Sequence, residues 1–474
     1  MGKFYVLEGL YGPRQGIGKL KVLKELADRV GRRSTDSYDL QGKCLDEWSK
    51  KSGGMGEFLF RRSADIKKYQ LIKIQNLVSN AFKNVPFYHD LYSACGYEVG
   101  CIEKFSDFER LPVVTKDHLN SVDPRDRVND PDLVDIANTS RTSGSSGKPF
   151  TVYSDDDDII LDHLQVMRFY STSLKRPLQE NDWVYMLHHS GLAFSSLHGK
   201  YRTFQLPDLL PDTPLGEHLL LLRPRLIVTL PSYLPLILKH KVAVKMSGVE
   251  AILTNSESST HAERNYYSMA LGVPVLDEYS SEEIGMIATQ CAQGQYHVIE
   301  DGVYLEIVDA DTHGFGSVVC TDLNNELMPL IRFDHGDVAK KSSLSTLCAC
   351  GCMCSSIDEI NGRRDDAFLT RDHVVVPSAS VLAAVDDILI TPDRTLRKFR
   401  VVQKSSELVE LLTHYVGQPY KKMADIVDDF EQRLSCLFGY PIQVVHRDVD
   451  VFPMQKSYKR RCIVREWGVN ALCH

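Results

Sequence analysis

Thr139-Ser140-Arg141-Thr142-Ser143-Gly144-Ser145-Ser146-Gly147-Lys148-Pro149-Phe150 is a run of small hydroxyl and glycine residues ending in a lysine, and the rest of the chain is read outward from it. Such a segment cannot pack a core. Its glycines permit positive φ and close backbone approach, its amides and hydroxyls can ring an anion, and Lys148 adds a mobile positive charge. The outline is a phosphate cradle made of Thr142, Ser143, Gly144, Ser145, Ser146, Gly147 and Lys148. The same composition also suits a solvated linker. The flanks favour a connection inside a sheet, because Val134-Asp135-Ile136-Ala137 and Phe150-Thr151-Val152-Tyr153 both read as short strands. A Walker loop is excluded: Gly144 and Gly147 lie too close together and Pro149 follows the lysine.

The run resembles the phosphate loop T-S-G-T-T-G-K-P of the adenylate-forming (acyl-CoA synthetase-like) superfamily, and four later segments resemble that superfamily's motifs in the same order. Leu276-Asp277-Glu278-Tyr279-Ser280-Ser281-Glu282-Glu283-Ile284-Gly285 reads alone as an acidic turn before a helix, and resembles Y-G-S-T-E. The resemblance implies that Tyr279 flanks adenine, that Ser281 joins the nucleotide contacts and that Glu283 holds magnesium. Glu282 stands where the family's threonine meets the α-phosphate, and Ser280 replaces a glycine. Leu330-Ile331-Arg332-Phe333-Asp334-His335-Gly336-Asp337 resembles R-Y-x-x-G-D, which implies Asp337 as the ribose ligand through two carboxylate oxygens on a vicinal diol. Ile360-Asn361-Gly362-Arg363-Arg364-Asp365-Asp366 resembles G-R-x-D-D, with Arg363 near ribose and phosphate and Asp365 at a hinge. Phe452-Pro453-Met454-Gln455-Lys456-Ser457-Tyr458-Lys459-Arg460-Arg461 resembles S-G-K-x-R. It implies Lys459 as the lysine bridging carboxylate and phosphate, with Lys456 second because Tyr458 takes the place of the glycine.

Asn84-Val85-Pro86-Phe87-Tyr88, followed by Leu111-Pro112-Val113-Val114-Thr115-Lys116-Asp117, resembles the opening of phenylacetate-CoA ligases and related CapK-type proteins, with Thr115 as a helix N-cap. The resemblance implies a large α/β domain with mostly parallel sheets over residues 1–361 and a small mobile α+β domain over residues 362–474. It also implies use of ATP and Mg²⁺ to turn a small carboxylic acid into an acyl-adenylate, with transfer to coenzyme A. An amine acceptor, or a catalytically weak nucleotide-binding scaffold, is the alternative. Joining a carboxylate to the α-phosphate brings two anions together, so positioning and charge neutralisation carry the catalysis and no side-chain nucleophile is required.

Helix and strand signals alternate through the middle of the chain: a helix at about 159–173, then strands at Trp183-Val184-Tyr185-Met186-Leu187, Leu226-Ile227-Val228 and Ala251-Ile252-Leu253-Thr254. His188 and His189 follow a strand, where α/β sheets bind ligands, and with Ser256 and Glu278 they outline an acyl pocket. Asp155-Asp156-Asp157-Asp158 is expected to serve a helix start and face water. Residues 40–92 carry helical spacing closed by Pro86.

Cys291 and His297, with the Cys348-Ala349-Cys350-Gly351-Cys352-Met353-Cys354 run, supply thiolate and imidazole donors suited to tetrahedral zinc. Cys291, His297, Cys348 and Cys350 are the chosen set, with Cys352 and Cys354 as substitutes. Twelve cysteines in a chain without an evident secretory leader point to thiols or metal rather than disulfides, and to the cytoplasm. A formal charge of −8 offers no basic excess for nucleic acid. Apolar runs are interrupted before membrane-spanning length, and composition leaves a homodimer open.

Overall fold

The computed structural model describes residues 62–141, 150–176, 182–188, 191–196, 215–311, 314–342, 348–364, 367–376, 378–390, 392, 395–415, 417–449 and 462–467. Helix α1 (Ser63–Asn84) buries Ile66, Gln70, Ile74, Leu77, Val78 and Ala81 along one face. Pro86 does more than close this pattern. It opens helix α2 (Pro86–Ala94), where its missing N–H is harmless at the first turn. Strand β1 (Val114–Thr115) leads into the short helix α3 (Lys116–Asn120), whose N-cap is Thr115: its Oγ1 accepts from the His118 amide at 3.3 Å.

The Ser/Gly loop joins β2 (Asn138–Arg141) to β3 (Thr151–Ser154), which pair antiparallel as a two-stranded sheet of their own. The first strand therefore starts four residues later than the expected Val134–Ala137. There the chain is still turning, because Pro131–Leu133 forms a 3-10 turn capped by Asp130 and the amides of Ile136 and Ala137 bond back to the Leu133 carbonyl. Helix α4 (Asp156–Leu174) begins at a reciprocal cap between Asp155 and Asp158. Asp156 and Asp157 face water as expected, whereas Asp158 is buried and burial pushes its carboxyl up to about 8.

The large sheet takes β4 (Trp183–His188), β5 (Gly191–Ser196), β6 (Leu226–Thr229) and β7 (Ala251–Thr254). Helix α5 (His261–Leu271) crosses to β8 (Val275–Ser281), and β9 (Gly285–Gln290), β10 (Tyr296–Val298), β11 (Val303–Val308), β12 (Phe315–Asp322), β13 (Phe333–Lys341) and β14 (Ser356–Arg363) follow. Their spatial order is β11-β12-β13-β14-β10-β9-β8-β7-β6-β4-β5, with β1 parallel against β13. The sheet is more mixed than expected. β4, β6, β7 and β8 form a parallel run, while the other pairings of the path are antiparallel. Parallel neighbours need a crossover, which α5 supplies before β8; the links of a few residues from β8 to β9 and from β9 to β10 leave room only for reversal.

A second sheet, β15 (Leu396–Gln403), β16 (Leu408–Tyr415), β17 (Gln443–Asp448) and β18 (Ile463–Arg465), runs in the order β17-β16-β15-β18. Helix α6 (Met423–Phe438) inserts Ile426, Phe430, Leu434 and Phe438 against Phe399, Val401, Val409 and Leu411, so this region has a core of its own. No described helix is long and apolar enough to cross a membrane.

Candidate active site

The parallel strands bring their carboxyl ends to one level: Leu187 pairs with Thr229, Thr229 with Thr254, and Thr254 with Asp277. The next residue on β8 is Glu278, and then Tyr279. The Tyr279 hydroxyl donates to Asp337 Oδ2 at 2.9 Å and lies 3.0 Å from His335 Nε2, which is itself 3.2 Å from Asp337 Oδ2. Asp337 pairs in register with Arg363 across β13 and β14, and Arg363 Nε stands 3.8 Å from Asp337 Oδ1. Three of the motif residues drawn from separate segments, Tyr279, Asp337 and Arg363, thus meet at one corner.

Burial opposes charge on His335, but the Asp337 carboxylate outweighs it and pushes the imidazole up to about 10. Burial would also raise the Asp337 carboxyl; His335 and then Arg363 hold it below the ordinary range instead. Burial, reinforced by Asp337, keeps the Tyr279 hydroxyl protonated. The corner therefore presents an ionised Asp337 and a ring fixed by its own hydroxyl. Because the folded imidazole titrates near 10 and the unfolded one near 6.5, its contribution to stability is complete below about pH 6.5 and lost as pH rises to about 10. His335→Gln is expected to remove this dependence, which melting temperatures across that window measure.

Glu283 follows the β8 strand and is 3% exposed, and its Oε2 has no hydrogen-bond partner among the described residues. The Lys116 ammonium lies against its Oε1. The motifs did not predict Lys116. It reaches this place because β1 docks on β13, with Val114 opposite Phe333 and Thr115 opposite Asp334. Arg332 at φ 48° secures that dock: its side chain grips Glu306 at 2.8 and 3.0 Å and the Leu111 carbonyl, while its own carbonyl accepts from the Val114 amide at 2.9 Å. One signal for Lys116 was present in sequence, since a lysine on the first turn of a helix opposes the helix dipole and has no local reason to be there.

The other expected residues divide in two. Ser281 Oγ accepts from the Ile284 amide at 3.1 Å and so shapes the turn before β9. Glu282, in the threonine position, accepts from Ser140 Oγ at 2.7 Å and ties the end of β2 to this corner. Ser256 takes φ 63° just past β7, and the backbone of His188 ends β4. Thr142, Ser143, Gly144, Ser145, Ser146, Gly147, Lys148, His189, Asp365, Lys456 and Lys459 lie outside the described residues.

The Cys291, His297, Cys348 and Cys350 donor atoms all lie within 4.8 Å of one another. Cys291 Sγ is 3.7 Å from Cys348 Sγ, and Cys350 Sγ is 3.1 Å from His297 Nε2. The amides of Gln293 and Cys352 donate to the sulfurs of Cys291 and Cys350, each at 3.4 Å, an arrangement that stabilises thiolates. Cys352 and Cys354 pack with Ile66, Phe169 and Ile299.

No family model matches the chain. It is 26% identical to the phenylacetate-coenzyme A ligase of Thermus thermophilus over 397 residues, 78% of this chain and 87% of that one. The ligase of the same name from Aromatoleum evansii is 24% identical, over 66% of this chain and 74% of its own length. Among solved structures, 2-hydroxyisobutyryl-CoA ligase in its postadenylation state superposes with a TM-score of 0.65 at 17% identity, covering 86% of this chain and 91% of that one. The chain is a homologue of the phenylacetate-coenzyme A ligases and has the fold of the adenylate-forming enzymes.

Proposed function

We propose that the chain is an ATP-dependent, AMP-forming ligase that converts a small carboxylic acid into an acyl-adenylate and passes the acyl group to coenzyme A. The observation that carries this proposal is the convergence of Tyr279, Asp337 and Arg363 beside Glu283, next to the hairpin that bears the Ser/Gly loop. Kinship with ligases of that activity supports it. In this proposal residues 1–361 bind nucleotide and acid, and residues 362–474 carry Lys459 and pivot at Asp365.

Each described group has a task. Asp337, held ionised, accepts two hydrogen bonds from a ribose diol, and Arg363 beside it limits the negative charge at that point. Tyr279, locked through its hydroxyl, offers a ring edge to the base. Glu283 suits magnesium because its carboxylate is buried, met only by the Lys116 ammonium at Oε1, and its Oε2 has no hydrogen-bond partner among the described residues. Magnesium, when bound, neutralises phosphate charge. Lys116 balances Glu283 otherwise. Lys116→Met leaves that buried carboxylate unpaired and is expected to destabilise the protein by roughly 3–5 kcal/mol in chelator, with partial recovery in Mg²⁺; denaturant unfolding with and without the metal measures this. Cys291, His297, Cys348 and Cys350 fit a structural zinc, for which thiolate and imidazole donors at these separations are suited.

The test is acid-dependent ATP–pyrophosphate exchange over a panel of acids, followed by AMP release with coenzyme A or with amines. Exchange with at least one acid and release that needs the thiol support the proposal. ATP binding without exchange for any acid would make the chain a nucleotide-binding scaffold, and amine-dependent release would make it an amide ligase.

A further inference from the structure

Glu278 and Asn255 stand side by side one residue beyond the row in which Thr254 of β7 pairs with Asp277 of β8. They are thus at the carboxyl ends of adjacent parallel strands, where α/β sheets receive ligands. Both are buried, Glu278 at 6% and Asn255 at 9% exposure. Glu278 is next to Tyr279 in sequence, and strand alternation turns its side chain to the opposite face from that ring. The Ser280 hydroxyl donates to Glu278 Oε1 at 2.9 Å, and Asn255 Nδ2 reaches the same oxygen at a long 3.4 Å. The Asn255 backbone is pinned, its amide donating to the Thr229 carbonyl at 3.1 Å. Its Oδ1 is buried with no hydrogen-bond partner among the described residues. The charged groups that bear on Glu278 are carboxylates, Asp277 beside it and Asp162 on α4. Asp277 is itself matched, by Tyr296 at 2.7 Å, Thr254 at 2.6 Å and Arg264 at 3.6 Å.

Two acceptors therefore sit together at the strand ends, on the face away from the Tyr279 ring: Glu278 Oε1 is met by Ser280 and Asn255, Asn255 Oδ1 has no partner among the described residues, and carboxylates lie close by. An apolar acyl chain seated there would leave Asn255 Oδ1 unmatched and bring no donor to the Glu278 carboxylate, which carries a free-energy cost. Resting on the adenylation proposal above, we propose that the acid this chain activates bears an N–H or O–H donor beyond its carboxylate, received by Glu278 and Asn255, so that its substrate class is an amino- or hydroxy-substituted acid and not an unsubstituted arylacetic or alkanoic acid.

The experiment is ATP–pyrophosphate exchange with size-matched acids that differ only in an amino group, a hydroxyl or a methyl at one position, in the full chain and in Glu278→Gln, Glu278→Leu and Asn255→Ala. A site built to bond a donor discriminates strongly against analogues that lack it, so the donor-bearing acids are expected to exchange at least about 10²-fold faster than their methyl counterparts. Glu278→Leu and Asn255→Ala are each expected to shrink that ratio. Glu278→Gln separates the donors, since it keeps an acceptor and loses a charge: an ammonium substrate loses its advantage and a hydroxyl substrate keeps it. Thermal unfolding identifies any variant that fails to fold, and the wild-type ratio stands without the variants. Methyl acids exchanging as fast as donor-bearing ones in the wild type would overturn the inference while leaving the adenylation proposal in place. No exchange with any acid would overturn both.

Discussion

Replacing Lys459 by alanine is expected to lower acid-dependent ATP–pyrophosphate exchange by about 10²-fold or more while leaving thermal unfolding unchanged. The physical demand is set by the substrates. A carboxylate approaching a phosphate to about 4 Å meets a repulsion of about 4 kcal/mol even at an effective dielectric constant near 20, and a lysine placed between them removes it. The described cations near the corner are already paired: Lys116 with Glu283, Arg363 with Asp337 and Arg364 with Asp334. The readout that separates this role from a structural one is the second half-reaction. When acyl-adenylate is supplied ready-made, the Lys459→Ala protein is expected to form thioester at close to the wild-type rate, because the two anions are already joined. Lys456→Ala serves as the control, and exchange lost there but kept in Lys459→Ala would move the role to Lys456. Unchanged exchange in both variants would remove the C-terminal lysine from the mechanism.

What could be read from sequence was what depends on local order. The strands at Trp183, Leu226 and Ala251 are runs of β-branched and apolar residues between helical stretches, and they fall where expected. Tyr279, Asp337 and Arg363 could be named because motif order survives even where individual motif residues have changed. Pairings between distant segments could not be read. The Lys116 to Glu283 contact exists only because β1 lies parallel on β13, and no periodicity announces a two-residue strand. The same holds for Arg332, whose guanidinium reaches Glu306 and the Leu111 carbonyl, segments far from it in sequence. Asp158 reads as solvated in the sequence because three exposed or half-exposed acids precede it, and the turn of α4 carries it inward.

The cysteine cluster yields the second large effect. Protein purified without chelator is expected to carry one zinc per chain, and Cys291→Ser or His297→Ala to lose both the metal and several kcal/mol of stability. The geometry argues for a metal rather than for four reduced groups that happen to meet. Tetrahedral zinc with bonds of about 2.3 Å to sulfur sets neighbouring sulfurs about 3.8 Å apart, and Cys291 and Cys348 stand 3.7 Å apart without a bond between them. The four donors come from three separate places in the chain: the end of β9, strand β10, and the Cys348–Cys350 turn. A bound ion would thus clamp that turn to the sheet next to β14, the strand that ends at Arg363. Loss of zinc is therefore expected to reach the nucleotide corner through β14 and weaken ATP binding as well as stability. Cys436→Ser, at an exposed cysteine on α6, is the control and is expected to change neither. Metal analysis finding no zinc, together with an unmoved melting temperature in Cys291→Ser, would leave the cluster as reduced thiols and remove the clamp.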